Sequence, residues 1–302
     1  MSYHIVSIDA HDCCITVSKG QLVSTSNGTT RTVPLEDVAS IVITSFKCTI
    51  SNSLLIHAAK LKIPVIVCEC FTPVSILLPT DRATDTELIR NLARLTPQHK
   101  RRLWKKTIDA KCHNQLALAS KWNPHHPLIA GIKNIVASDK DSKESECAKC
   151  YWSIFSDTFA DGSFRRDKKL EDYNALFNYA YAILLSCVLR YLLALGVDPT
   201  FGIFHVSRAH AAPLAYDLME PFRPLFDEKI AQWIIQNNLS TPAMAQKLIT
   251  KEYKQFITST LTDSIHYANK QLSLKQAIEL MVRSFRASVC SLQVGVYEPW
   301  KT

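Results

Sequence analysis

Leu78-Pro79-Thr80-Asp81-Arg82-Ala83-Thr84-Asp85 is the stretch at which the hydrophobic period of this chain changes. Upstream of it the apolar residues come in short β-branched runs: His4 to Ile8, Cys14 to Val17, Gln21 to Ser24, Val38 to Thr44 and Ile63 to Cys70. Asn27-Gly28 tolerates the positive φ angles of a tight hairpin turn and so predicts one there. Ser51 is placed to cap a helix that carries Leu54, Leu55, Ala58, Ala59 and Leu61 and stops before Pro64, and Thr72-Pro73 closes the last strand. Downstream the period is helical over 85–121, 141–160, 171–196, 214–237, 241–269 and 273–290. The connecting stretches contain Pro124-His125-His126-Pro127, Asp161 to Lys169, and Asp198-Pro199. The pattern predicts an α+β chain, with an N-terminal β-rich domain over 1–82 and a larger all-α domain over 83–302.

A length of 302 residues favours two domains, and 47% hydrophobic with 21% charged residues supplies two cores, which excludes disordered and fibrous classes. The formal charge of +8 favours an acidic partner such as nucleic acid, while leaving room for an enzyme of acidic substrates. Met1 to Ala10 lacks the basic and apolar regions of a secretory leader. The longest apolar run, Tyr179 to Leu195, is interrupted by Ser186 and Arg190 and reads as a buried helix, so no membrane association is expected. Ten cysteines in such a chain predict reduced thiols and a cytoplasmic protein. Cys147-x-x-Cys150 and Cys68-x-Cys70 raise the alternative of zinc, but the first pair falls on a predicted helix and no further pair completes a zinc signature.

The segment Gly202 to Pro224 carries the densest chemistry. If Pro213 opens a helix, Asp217 and Glu220 project from one face about a turn apart. His205 precedes them, and Glu144 lies in another helical stretch. Carboxylates with one imidazole suit Mg²⁺ or Mn²⁺ better than zinc. By spacing alone the plainer account stands ahead: acids near a helix start interact favourably with its dipole, and a single histidine is usually structural.

The run Glu144-Ser145-Glu146-Cys147-Ala148-Lys149-Cys150-Tyr151-Trp152, the stretch Asp172-Tyr173-Asn174-Ala175-Leu176-Phe177-Asn178, and His205 fifteen residues before Glu220-Pro221-Phe222-Arg223-Pro224 together resemble the CRISPR-associated integrase of the spacer-acquisition module. Val33-Pro34-Leu35-Glu36-Asp37, Ile41 to Thr44, Thr49-Ile50-Ser51 and Ile63-Pro64-Val65 extend the resemblance into the β region, so that it runs from about residue 5 to about residue 290. The resemblance implies that Glu144, His205 and Glu220 are catalytic and ligate Mg²⁺ or Mn²⁺, with Asp217 as a further ligand or an orienting neighbour. Glu144 is preferred to Glu146 because it lies seven residues before Tyr151, as in the family. Phe204 stands where many relatives have a second histidine. The segment Leu95 to Gln115, with Lys111 and Asn114-Gln115, is most similar to members from single-protein-effector systems.

The implied activity is a metal-dependent DNA endonuclease and integrase that inserts short foreign DNA fragments into a CRISPR repeat array, using the fragment's own 3′-hydroxyl. The implied partners are double-stranded DNA fragments, repeat DNA, a second copy of the chain held through the β-rich domain, and a small ferredoxin-like adaptation protein that bridges two homodimers. A non-catalytic DNA-binding subunit and a stand-alone branched-DNA nuclease are the alternatives. Candidate DNA contacts are Arg165 and Arg166, which match a family Phe-x-Arg segment. Arg101, Arg102, Lys105 and Lys106 share one helical arc with Asp109, and a solvated helix face explains that arc as well.

Overall fold

A computed structural model describes residues 4–302 apart from 84, 141, 168, 171, 207–209 and 240–247. Its first half-sheet grows around β5 (Val38–Ile43), every residue of which is buried. β5 lies between β1 (His4–Ile8) and β7 (Val65–Glu69), parallel to both, and β8 (Thr72–Leu77) completes the order β1-β5-β7-β8 by running antiparallel to β7. A parallel strand covered on both faces needs a near-continuous apolar run, and VASIVI is one apart from Ser40. Alternation along it serves two cores. Ile41 and Ile43 pack with Leu54 and Ala58 of α1 (Asn52–Lys60). Val42 joins the helical core, and Ser40 donates to the Ser186 hydroxyl at 2.9 Å.

A second sheet, β4-β3-β2-β6, is built from β2 (Cys13–Ser18), β3 (Gln21–Ser26), β4 (Thr29–Pro34) and β6 (Cys48–Ile50). The predicted hairpin turn sits between β3 and β4, with φ of +49° at Asn27 and +74° at Gly28. Ser51 caps α1 by accepting from Leu54 N, as its position predicts. The expectation that Thr72-Pro73 ends the strand pattern is corrected. The chain turns back at Cys70 and Phe71, both in the left-handed region, and β8 tolerates a proline because it is an edge strand.

β8 ends at Leu77, and the helical series begins with α2 (Thr86–Arg94) and α3 (Pro97–Trp122). The single helix expected over 85–121 is therefore two, because Thr96 caps a new start by accepting from His99 N and Pro97 takes the first helical position. Next come α4 (Leu128–Ala137), which the proline-histidine reading of 124–127 passed over, α5 (Lys143–Phe159) and α6 (Tyr173–Ala194). α6 has the length and apolarity of a membrane span, yet 89% of its most apolar window is buried inside the fold. The helix expected over 214–237 is α7 (Pro213–Met219), a 3₁₀ turn at Glu220–Phe222, and α8 (Arg223–Gln236). Pro221 and Pro224 lack the N–H groups that would carry one helix through.

Part of the helix expected over 241–269 lies outside the described residues. The rest is corrected: after α9 (Lys251–Ser259) the chain forms a hairpin, β9 (Ser264–Tyr267) with β10 (Lys270–Ser273), turning at Ala268 and Asn269 with positive φ. α10 (Leu274–Ser291) follows, opened by a Ser273–Gln276 capping box. The C-terminal region is thus mostly helical rather than all-helical, and the α+β class stands.

Candidate active site

α3 and α5 pack through Ile108 and Cys112 against Cys147, Tyr151 and Ile154, which sets the first turn of α5 beside the middle of α3. Glu144 projects from that turn, about a third exposed, and accepts from Lys111 Nζ of α3 at 2.7 Å. The same ammonium lies 2.7 Å from Oε2 of Glu220, on the 3₁₀ turn after α7. The two carboxylates therefore straddle one cationic point. Arg223 Nη2 reaches the other oxygen of Glu220 at 3.1 Å. Burial alone would raise the Glu220 carboxyl, but Arg223 and Lys111 outweigh it and hold the group below the ordinary carboxylate range. In return burial would lower Lys111, and Glu220 and Glu144 hold it above its usual value. Glu220 Oε2 is fully enclosed and, although close to Lys111, makes no aligned hydrogen bond.

His205 stands on the irregular stretch before α7, and its ring is fixed from below. Asp217, wholly buried on α7, accepts His205 Nδ1–H at 2.7 Å through Oδ1. Its oxygens also accept the backbone N–H groups of Ile203 (2.6 Å), Phe204 (3.1 Å) and His205 (3.0 Å). A carboxylate only accepts, so the imidazole proton is on Nδ1, and neutral His205 has its lone pair on Nε2. Asp217 is thus saturated by four donors and orients the histidine. Gly202 has no alternative here: a Cβ would come within 2.2 Å of the His205 carbonyl oxygen and 2.8 Å of Pro213 Cβ.

As placed, no three Asp, Glu, His or Cys side chains among the described residues converge closely enough to hold a metal ion. The donor chemistry nevertheless fits a hard divalent cation. Two carboxylates flank a point already holding positive charge, one of their oxygens is enclosed without a hydrogen bond, and the imidazole of His205, oriented by Asp217, is a further nitrogen donor. An ion there would take the place of the Lys111 ammonium.

Behind this cluster, Asp227 of α8 accepts from Tyr151 of α5 at 2.8 Å and from Tyr181 of α6 at 2.5 Å, tying the helix of Glu144 to the helix after Glu220. Burial pushes the Asp227 carboxyl up to about 6 against the pull of the two tyrosines. Neither Lys111 nor Asp227 was singled out for this centre by the sequence reading, since nothing local marks their partners.

The basic candidates divide. Arg101 and Arg102 are exposed. With Trp104, Lys105, Lys140, Lys143 and Glu144 they help line a groove of about 410 Å³ between α3 and the start of α5. Lys105 is paired with Asp109 (3.0 Å) and Asp139 (2.6 Å), and Lys106 donates to the carbonyls of Val294 and Gly295. Arg165 is exposed. Arg166 turns inward, donating to Asn174 (2.7 Å) and Asn178 (3.0 Å) across the rings of Phe177 and Tyr181. Lys168 lies outside the described residues. Cys147 is buried against Gln115 and the Cys112 backbone, and no disulfide occurs among the described residues, which include all ten cysteines.

The family model described as CRISPR associated protein Cas1 matches residues 6–260. A "CRISPR-associated endonuclease Cas1" of Neisseria meningitidis serogroup C (strain 8013) is 30% identical over 283 residues, covering 91% of this chain and 88% of that protein. A solved Cas6-RT-Cas1–Cas2 complex shares the fold at TM-score 0.81 and 17% identity, covering 99% of this chain and 36% of that one. A casposase bound to an integration product shares it at TM-score 0.76 and 18% identity, with 95% and 91% covered.

Proposed function

The chain belongs to the Cas1 family of CRISPR-associated proteins, and from that premise we propose that it is a metal-dependent endonuclease and integrase of spacer acquisition, with Glu144, His205 and Glu220 as its catalytic residues. The observation that carries this reading is the Glu144–Lys111–Glu220 arrangement beside an imidazole that Asp217 orients. Mg²⁺ or Mn²⁺, held by Glu144, Glu220 and His205 Nε2, would polarise the scissile phosphate and stabilise charge on the leaving oxygen.

The protein's own groups have positional and electrostatic work. Arg223 keeps Glu220 ionised in a buried setting, and Asp217 keeps the His205 lone pair on Nε2. Lys111 holds the two carboxylates about the point that the ion would occupy. The attacking group is the DNA 3′-hydroxyl: it gives its proton to solvent and its oxygen bonds to phosphorus as the bond to the leaving 3′-oxygen breaks and that oxygen takes up a proton from solvent, so no protein nucleophile is needed. Arg101, Arg102 and Lys105 receive phosphates along the groove that reaches Glu144, and Arg165 and Lys106 are further proposed DNA contacts outside its lining. Arg166 supports the segment of Arg165 from within, through Asn174 and Asn178.

Inserted duplex and repeat DNA are the proposed substrates. A small adaptation protein is the proposed partner, as the presence of Cas1 with Cas2 in the solved complex suggests by its description. The proposed arrangement pairs two copies through residues 1–82 and leaves residues 83–302 to the chemistry. Membership of the single-protein-effector group rests on the Leu95 to Gln115 segment, and a cytoplasmic location on the ten reduced cysteines. A strand-transfer assay with a supercoiled repeat plasmid, a short duplex, Mn²⁺ and the small partner tests the reading. Glu144→Ala and Glu220→Ala are expected to abolish transfer while retaining DNA binding; transfer at the wild-type rate by either would overturn the assignment.

A further inference from the structure

Beside the proposed centre two aromatic rings lie flat on one another. Trp104 of α3 and Phe204 have ring centroids 4.3 Å apart and planes within 1° of parallel. Trp104 covers one face of Phe204, while the residue is 56% exposed. The pair is not loose: Trp104 belongs to a 26-residue helix, and the Phe204 backbone is held by the buried Asp217. The His205 ring stands edge-on to both, 5.8 Å from Phe204 and 5.9 Å from Trp104.

A rigid flat ring with an outward face selects a planar partner, and the charge around it selects an anionic chain. The two rings, Lys100 and Arg101 help line a cavity of about 320 Å³ whose lining contains no acidic residue. Arg101 and Trp104 also line the groove that reaches Glu144, and the Phe204 ring lies 5.8 Å from that of His205, so the aromatic pair adjoins the proposed centre. A strand with its phosphate at the cluster has a base within reach of the Phe204 ring, and every base offers a π-face for stacking.

We propose that Phe204, backed by Trp104, stacks an unpaired nucleobase of the DNA strand whose phosphate reaches Glu144 and Glu220, making it a positioning residue for strand transfer. The proposal rests on reading that cluster as the reacting centre. Stacking reads little sequence, so the face takes any base and holds the strand end by its plane. Arg101 supplies the charge for the adjoining backbone.

The test uses the full chain in EDTA, where no turnover occurs, and a short duplex with unpaired 3′ ends carrying either 2-aminopurine or an abasic nucleotide at the terminal position. The wild type and Phe204→Trp are expected to quench 2-aminopurine fluorescence on binding, and Phe204→Ala not to. An abasic nucleotide is expected to weaken wild-type binding about tenfold and to have no further effect on Phe204→Ala. A purely structural phenylalanine would not produce that non-additivity. An equal abasic penalty in both proteins, or quenching retained by Phe204→Ala, overturns the proposal. Transfer assays on Glu144→Ala and Glu220→Ala separate this from the assignment beneath it. If those variants are inactive but no Phe204-dependent penalty exists, the stacking face falls and the centre stands. If they transfer normally while the penalty follows Phe204, the base is bound but the centre lies elsewhere, which refutes the positioning role.

Discussion

Replacing Lys111 by methionine keeps an unbranched apolar stem out to Cε and removes the ammonium that lies 2.7 Å from both Glu144 and Glu220. Glu144 is exposed enough to regain water. Glu220 is enclosed and keeps only Arg223, at 3.1 Å. Removing one partner of a buried ion pair costs about 3–5 kcal/mol, and the remaining arginine puts this case at the lower end, about 3 kcal/mol. Spread over the unfolding entropy of a chain of 302 residues, that is a fall of about 5 °C in the melting midpoint. Its pH dependence is distinctive. In the wild type the depressed Glu220 carboxyl contributes stability that is present above its unfolded pKa and lost as pH falls through the folded value. Without Lys111, burial weighs more, the carboxyl moves up, and protonation relieves the loss. Thermal melts in EDTA should therefore show a gap between variant and wild type that is widest at about pH 7 and narrows toward about pH 4. If Mn²⁺ binds the folded state as proposed, it adds about 2.7 kcal/mol at a hundred times its dissociation constant, comparable with the variant's loss. A midpoint within about 1 °C of wild type at neutral pH, or a gap that does not change with pH, would refute the account of how Glu220 is held.

Asp217→Asn removes the acceptor that fixes His205 Nδ1–H and should raise the Mn²⁺ needed for half-maximal strand transfer about 10–100-fold; an unchanged Mn²⁺ curve would mean that the histidine is not oriented this way. Arg165→Ala should reduce the log–log salt slope of duplex binding by about 0.9. Arg166→Ala, by contrast, should lower the melting midpoint with the slope intact, since its guanidinium is spent on Asn174 and Asn178; the reverse pattern would exchange their roles. Phe155→Ala, at the centre of the Trp122, Trp152, Phe164 and Phe177 cluster, should cost about 3–5 kcal/mol, and a midpoint near wild type would show that this cluster is not the core of the helical region. Light scattering should find a dimer at micromolar concentration, and a clean monomer that still transfers DNA would remove the β-rich region from that role.

The parts of the fold legible in the sequence are those in which one local signal suffices. Asn27-Gly28 fixed a turn through positive φ, Ser51 a cap, and the run from Val38 to Thr44 a strand, whose burial on both faces only the structure shows. The misreadings lie where tertiary packing or a short polar device overrides the period. Thr96 and Pro97 restart a helix inside an unbroken periodic stretch, Pro73 sits harmlessly on an edge strand, and a hairpin at 264–273 interrupts a helical pattern. In the candidate site, residue types and order pointed to Glu144, His205 and Glu220, and the resemblance singled them out from commoner structural uses. Lys111 was out of reach because its partner Glu144 is 33 positions away. The inward turn of Arg166 was equally hidden: beside Arg165 it is the same residue type, and only the asparagines of α6 distinguish them.

The loop before α7 also separates what must stay from what is free to change. Over 202–205 the path is drawn by backbone N–H groups converging on one carboxylate and by a glycine that leaves no room for a Cβ; Ile203 adds a buried side chain, whereas the ring of Phe204 is largely exposed. One inserted residue would dislodge the imidazole, whereas an exchange at position 204 leaves the imidazole where it is. If Phe204 stacks a base as proposed, the chain carries, next to residues with little latitude, a position at which that contact can change in a single step.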